Sequence, residues 1–305
     1  MYYPILKAKR HELNTLFDLA SVLPTHKYCP VIEPVNIDTK ELIGTIEQLK
    51  KYNVRPIVVI NPNQGKFSKT ITPNLFPTLQ ANPKSANNFT PCIKVRDSKD
   101  LAALSLLTLN PTFAVYLESE IDYTSVPALK NAHCVLLNPQ KVDPGVIKLL
   151  KNIVVYQDSF AKKKRNADYG SSSFFSGMHT AYITLPNTIG FGDFTIMGEE
   201  FQDSGGPAYV VAIHISYIES SSTHPMYVHH YCSTIDSTLT TNAGGKYKEA
   251  LDMLFKFHYS NPGAYDSTLG LKEFENTYKI NHFPGLGIVK EMSMKHHIET
   301  VCNFI

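Results

Sequence analysis

Seven short apolar runs, each closed by a polar side chain, constrain this chain more than any other feature. They cover residues 3–6 (closed by Lys7), 29–32 (Glu33), 56–60 (Asn61), 91–93 (Lys94), 113–117 (Glu118), 134–137 (Asn138) and 153–157 (Asp158). Runs this short, rich in Val, Ile and Tyr, read as strands buried on both faces, the habit of a parallel sheet. Their closing residues fall about 20 to 33 positions apart, room for a helix and two turns between successive strands. Strand and helix in alternation predict an α/β fold, a TIM-like (β/α)8 barrel. All strands of such a barrel end on one face, where enzymes of this architecture carry their chemistry. The polar closing residues are therefore expected to converge on a single mouth.

The stretches between the runs carry helical spacing. Over residues 10–23, Leu13, Leu16, Phe17, Ala20 and Leu23 fall on one face. Asp38 is the expected N-cap of a helix that turns Leu42, Ile46 and Leu49 inward. Ser98 is expected to cap a helix over 99–109, and Pro144 to open one that runs through Leu150. Residues 61–74 and 83–88 read as polar loops. The alternation breaks after Asp158. There Lys162-Lys163-Lys164-Arg165 leads into a Ser-rich stretch with Phe174 and Phe175, a solvated loop or one that faces phosphate.

Two segments compete for the eighth strand. Thr188-Ile189-Gly190-Phe191-Gly192-Asp193-Phe194 ends on Asp193, and its glycines permit close backbone approach. Residues 208–217 are more strand-like and contain His214. The first is preferred as the barrel-closing strand, with irregularity expected there. The second then pairs with 227–232 as an appended hairpin, entered through the turn Gly205-Gly206-Pro207. Helices over 246–258 and 286–301 complete a C-terminal α+β segment. The predicted division is a barrel-like domain over 1–199 and a hairpin with helices, packed on the barrel, over 200–305.

At 305 residues and 43% hydrophobic content, one large α/β domain with an appendage has a sizeable core available. A formal charge of +2 implies no general attraction to nucleic acid or membrane, so any polyanion site is a local patch. The N-terminal residues lack the apolar core of a secretory signal, and no run approaches a membrane span. A cytoplasmic protein without membrane contact is the expectation. Of the cysteines, Cys29, Cys92 and Cys134 lie inside strand-like runs, and with Cys232 and Cys302 they form no Cys-x-x-Cys pair. They read as small buried hydrophobes.

Lys7, Glu33, Lys94, Glu118, Asp158 and Asp193 form the candidate mouth set. Lysines there hold an anion, while carboxylates serve as acid or base or bind Mg²⁺ or Mn²⁺. Glu33, Asp158 and Asp193 are the metal candidates. The bland alternative is that strand ends carry charge because they meet solvent. The histidine pairs His229-His230 and His296-His297 suit a metal poorly, since neighbours on a strand face opposite ways and neighbours on a helix lie about 100° apart. Gln202-Asp203-Ser204-Gly205-Gly206 superficially resembles a serine-protease string, but the barrel pattern upstream does not fit that fold.

Several segments together carry a family resemblance. They are Tyr3-Pro4-Ile5-Leu6-Lys7 with Lys9, Glu12 and Leu13; Pro30-Val31-Ile32-Glu33-Pro34; and Arg165-Asn166-Ala167-Asp168-Tyr169. Further along come Gly190-Phe191-Gly192-Asp193-Phe194, Val211-Ala212-Ile213-His214, His229-His230-Tyr231 and Phe283-Pro284-Gly285-Leu286-Gly287. In this order they resemble the Beta-protein family, named after a bacteriophage protein, and one bacterial subgroup of it. The resemblance implies a component of a phage-defence or mobile-element module, encoded beside a small nuclease-like partner. Such a component would recognise a nucleic-acid or phage-derived trigger. It marks Glu12, Glu33, Asp168, Asp193 and His214 as shared functional positions. Phe194 stands where tyrosine is expected, and Tyr231 where phenylalanine is. A metal-dependent phosphoesterase acting on a nucleotide or nucleic-acid end is the alternative the mouth set suggests.

Overall fold

The apolar runs become the strands of a parallel barrel. A computed structural model of the chain describes residues 1–68, 75–107, 112–203 and 208–305. Its strands are β1 (Ile5–Leu6), β2 (Val31–Ile32), β3 (Ile57–Val59), β4 (Thr90–Val95), β5 (Ala114–Leu117) and β6 (Cys134–Leu137). They continue with β7 (Ile153–Gln157), β8 (Ser172–Ser176), β9 (Thr188–Asp193), β10 (Ala212–Ile218) and β11 (Met226–Cys232). Strands β1 to β7 pair in sequence order and all in parallel, and β9 then pairs with β7 as the eighth member. The fold is a TIM-like α/β barrel with one seam.

That seam lies between β9 and β1. A bridge joins Tyr2 to Phe191; the Tyr3 N–H donates to the Phe191 carbonyl at 2.8 Å, and the Phe191 N–H to that of Met1 at 3.2 Å. Glycine is required for this approach. A Cβ on Gly192 would collide with the Tyr3 carbonyl oxygen, and one on Gly190 with the Met1 carbonyl and the Tyr3 ring. The expected irregularity is present as a register shift between Ile153 and Val154 where β7 meets β9.

Alternation along the strands decides what the barrel interior contains. Its core holds Tyr3, Ile5, Val31, Ile57, Val59, Cys92, Ala114, Tyr116, Cys134, Leu136, Val154, Tyr156 and Phe194. Counting two onward from these puts Lys7, Glu33, Asn61, Lys94, Glu118, Asn138 and Asp158 on the same inward face. Strand β9 is different. Gly190, Gly192 and Phe194 share the inward parity, so Asp193 points the other way.

Helices cover the outer face. Arg10–Leu19 buries Leu13 and Leu16 as expected, but Phe17 is exposed and Leu19 takes its place in the core. Lys40–Lys51 buries Leu42, Ile46 and Leu49; Asp38 accepts from the Lys40 N–H, one residue before the helix-flanking Thr39. Asp97, not Ser98, caps Ser98–Ala103 by accepting from the Lys99 and Asp100 N–H groups. Pro144–Leu149 begins at its proline, capped by Asp143. The end of the 99–109 helix, the second half of the 61–74 loop and the turn Gly205-Gly206-Pro207 lie outside the described residues.

The chain divides into two compact units: Met1–Asp158 with Met178–Phe194, and Ser159–Gly177 with Thr195–Ile305. Residues 159–177, which fall within the 1–199 range, thus belong to the second unit. In that unit β10 and β11 form the expected antiparallel hairpin, and β8 adds to β11 as a third strand, in an order β10-β11-β8. The Ser-rich stretch is therefore part strand. Helices Ala243–Ser260, Leu269–Lys279 and Leu286–Phe304 surround a core that includes Ile213, Ile215, Leu254, Phe255, Phe274 and Met292. No helix among the described residues is long and apolar enough to cross a membrane.

Candidate functional site

The inward-facing charges at the C-terminal end of the barrel strands form a connected ion network. Glu33 is fully buried and accepts from both neighbouring ammonium groups, Lys7 Nζ at 2.7 Å and Lys94 Nζ at 3.1 and 3.3 Å. Lys94, also fully buried, reaches on to Glu118 Oε1 at 2.8 Å, whose side chain is 28% exposed. Aromatic faces complete the cations' surroundings: Lys94 Nζ lies 4.9 Å from the Tyr116 ring centre and Lys7 Nζ 5.6 Å from that of Phe194.

Burial would push the Glu33 carboxyl up, but the charges and hydrogen bonds of Lys7 and Lys94 outweigh it and hold its pKa below the ordinary value. Burial would likewise pull Lys94 down, but Glu33 and Glu118 hold it above the usual lysine value. Each partner thus keeps the other ionised in a place that would otherwise neutralise it.

Asn61 and Arg96 brace this network. Asn61 Oδ1 accepts from the Lys94 N–H at 2.8 Å, and its Nδ2 donates to the Lys94 carbonyl at 2.9 Å and to Asp100 Oδ1 at 2.8 Å. The side chain thereby continues the β3–β4 pairing beyond the last backbone bond. Arg96 grips Asp100 through Nε at 2.8 Å and a second nitrogen at 2.9 Å, and donates to the Asn61 carbonyl at 3.0 Å. Arg96 and Asp100 are absent from the sequence-predicted set, although their four-residue spacing on a helical start is a usable signal.

The other predicted residues are placed differently. Glu12 is buried on the first helix and accepts from the Lys7 backbone N–H, so it holds the bend after β1. Burial raises its pKa to about 7, against the Lys7 hydrogen bond and the charges of Lys9 and Lys7. Asp193 does not join the inward set: it is buried on the opposite face of β9, where Oδ1 accepts from the Tyr2 hydroxyl at 2.7 Å. Nothing in the sequence around Tyr2 announces that bond. Asp158 keeps the inward parity but is exposed to solvent. Asp168 and His214 belong to the second unit, where Asp168 pairs with Arg165 at 2.6 Å on the surface.

The metal reading does not fit these residues. Both oxygens of Glu33 are engaged by ammonium groups, and Asp193 faces away from it. Among the described residues no group of three or more His, Cys, Asp or Glu side chains is placed to hold a metal ion. The cysteines Cys92 and Cys134 are buried in the barrel core, and burial raises their thiols well above the ordinary value. They pack as small hydrophobes.

In the second unit three of the motif segments meet. Asn166 Nδ2 donates to the Val210 carbonyl at 2.8 Å, which ties residues 165–169 to the start of 211–214. Tyr169 packs its ring 4.8 Å from that of His214 and 4.5 Å from that of His230. The paired histidines use opposite faces, as strand geometry requires: His230 meets His214 at 2.8 Å, while His229 meets the Tyr265 hydroxyl at 2.5 Å. His296 and His297 are buried and bonded to Thr268 and Ser216.

Comparison with protein-family models, with curated proteins and with solved structures finds no match for this chain.

Proposed function

We propose that this chain is a recognition component of a bacterial phage-defence or mobile-element module, in which a small nuclease partner does the cutting. The observation that carries the reading is the self-neutralised barrel mouth. Glu33 spends its charge on Lys7 and Lys94, and Lys94 shares its own with Glu118. A group committed in this way is poorly suited to act as a general base or to bind a divalent ion. The barrel then serves as a rigid scaffold. The resemblance of the motif segments to the Beta-protein family supplies the partner and the setting, and the trigger is a nucleic acid or a phage product.

Calorimetric titration of the purified chain with Mg²⁺ and Mn²⁺, beside Glu33→Gln and Asp193→Asn, tests the reading. No ion binding in any variant, and no hydrolysis of mono- or diester phosphates, is the expected result. Co-expression with the genes that flank its own should then recover a nuclease bound to the chain. Wild-type ion binding abolished by either substitution, at an unchanged melting temperature, would replace the proposal with a metal-dependent phosphoesterase.

A further inference from the structure

A hydrogen-bonded chain of side chains crosses the three-stranded sheet of the second unit, one residue from each strand. Ser173 on β8 places Oγ 2.9 Å from Nε2 of His230 on β11. His230 Nδ1 lies 2.8 Å from Nδ1 of His214 on β10, and the two histidines are direct cross-strand partners. A hydroxyl beside an imidazole that is itself oriented by a third group is the arrangement that activates a serine nucleophile.

The tautomers can satisfy this chain in the productive sense. An Nδ1-to-Nδ1 contact requires one ring to donate and the other to accept. With the proton on His230 Nδ1, donated to His214, the free Nε2 lone pair faces the Ser173 hydroxyl. Burial first, then neighbouring charge, lowers His230 to about 4 and His214 to about 3, so both rings are neutral near pH 7. Rings on either side fix them: Tyr169 packs on both, and Phe160 lies 5.2 Å from His214. Ser173 itself is half-buried. The positive charge of Lys163 acts on His230, and Lys163 and Lys164 are exposed.

We propose that Ser173, His230 and His214 form a nucleophile, base and positioning residue for hydrolysis of an ester or thioester that carries an anionic group. Ser173 Oγ bonds to the acyl carbon while its proton passes to His230 Nε2. The leaving alcohol or thiol takes that proton as its bond to the acyl carbon breaks. Water then bonds to the acyl carbon as Nε2 takes its proton; the bond from the acyl carbon to Oγ breaks, Oγ recovers that proton from Nε2, and the carboxylic acid leaves. His214 accepts from Nδ1–H throughout and holds the ring toward Ser173. Lys163 favours the anionic group. This site is independent of the recognition role proposed for the chain.

The test uses the full chain with a fluorophosphonate probe, peptide mapping, and the p-nitrophenyl esters of acetate and of succinate. Wild type should be labelled at Ser173 and should prefer the succinate ester. Ser173→Ala should abolish both signals, and His230→Gln should slow labelling by about 100-fold or more. His214→Asn, which keeps an acceptor for His230, should retain more activity than His214→Phe. Lys163→Ala should lose the preference for the anionic ester. Ser173→Cys gives a reading that does not depend on those losses of activity: its alkylation by iodoacetamide should be faster with His230 present than when His230→Gln is added. Absence of label on Ser173 in folded wild type, or equal alkylation rates with and without His230→Gln, would overturn the proposal and leave the chain of side chains as a purely structural link between strands.

Discussion

Glu33→Gln is the most incisive perturbation of the barrel. The substitution keeps the shape of the side chain and removes its charge. Lys94 then sits fully buried with Glu118 as its remaining carboxylate, and Lys7, whose side chain is 7% exposed, loses its acidic partner. Removing one member of a buried ion pair typically costs about 3–5 kcal/mol, because the charge left behind is desolvated without compensation. For a unit of this size each kcal/mol lowers the melting temperature by about 2–4 °C, so a fall of roughly 6–20 °C is expected. Scanning calorimetry is the assay of choice, since it resolves separate transitions for the two units if they melt apart.

The cost of Glu33→Gln depends on pH with a definite sign. Glu33 has a folded pKa below its unfolded value, so its contribution is full above the ordinary carboxylate range and is lost as pH falls through the folded pKa. The gap between wild type and Glu33→Gln should therefore be widest near neutrality and should close in strong acid. A companion triple variant, Lys7→Met, Glu33→Leu and Lys94→Met, replaces the charges with apolar groups of similar length. It should be far less destabilised than the single variant, since a well-packed apolar set can equal or exceed a buried ion network. A Glu33→Gln shift below about 1 kcal/mol, or a triple variant worse than the single one, would refute the desolvation argument.

Two further outcomes follow from the geometry. Glu12 has a folded pKa of about 7 against an ordinary value of 4.5, so the wild type loses stability as pH rises through that window. Glu12→Gln should be more stable than wild type above pH ~7 by up to roughly 3 kcal/mol, with the gap closing toward pH ~4.5, and parallel melting curves across that range would contradict this. At the seam, Gly192→Ala should cost about 1–3 kcal/mol or more, because its methyl meets the Tyr3 carbonyl. Gly44→Ala, in open space on an outer helix, should instead gain roughly 0.5–1 kcal/mol; equal effects in denaturant titrations would remove the steric account of the seam.

Much of the barrel is legible in the sequence because strands covered on both faces must be apolar at every position. Such strands stand out as unbroken runs against the helices between them. The eighth strand is recoverable from Gly190 and Gly192, whose lack of a side chain marks close backbone approach. Asp193 shows the limit of that reading. Polarity at a strand end does not by itself mark the mouth, because parity decides: Lys7, Glu33 and Lys94 lie two residues beyond core positions, and Asp193 lies one from Phe194. Strand β8 is hidden for a different reason. It pairs with β11 far along the chain, and Ser172 and Phe174 are exposed, so no local alternation betrays it. Helix Leu269–Lys279 carries Gly270, which weakens a helical signal, yet that glycine is what lets the Met292 carbonyl and the His296 backbone approach.

The distribution of the motif segments separates stability from specificity within one chain. The segments around Lys7 and Glu33 contribute strands and the ion network, in which each buried charge has a partner. Residues 165–169, 211–214 and 229–231 are different, because no rule of barrel construction brings them together. They come from a loop and two strands of the second unit, and they meet through Asn166, Tyr169, His214 and His230. Polar and aromatic residues so spaced in sequence and so close in space carry a cost in desolvation that a scaffold could avoid with apolar packing. Their convergence is therefore the better guide to function. Substitutions at the barrel mouth should register chiefly as stability, and conservative ones at Ser173, His214 and His230 chiefly as chemistry.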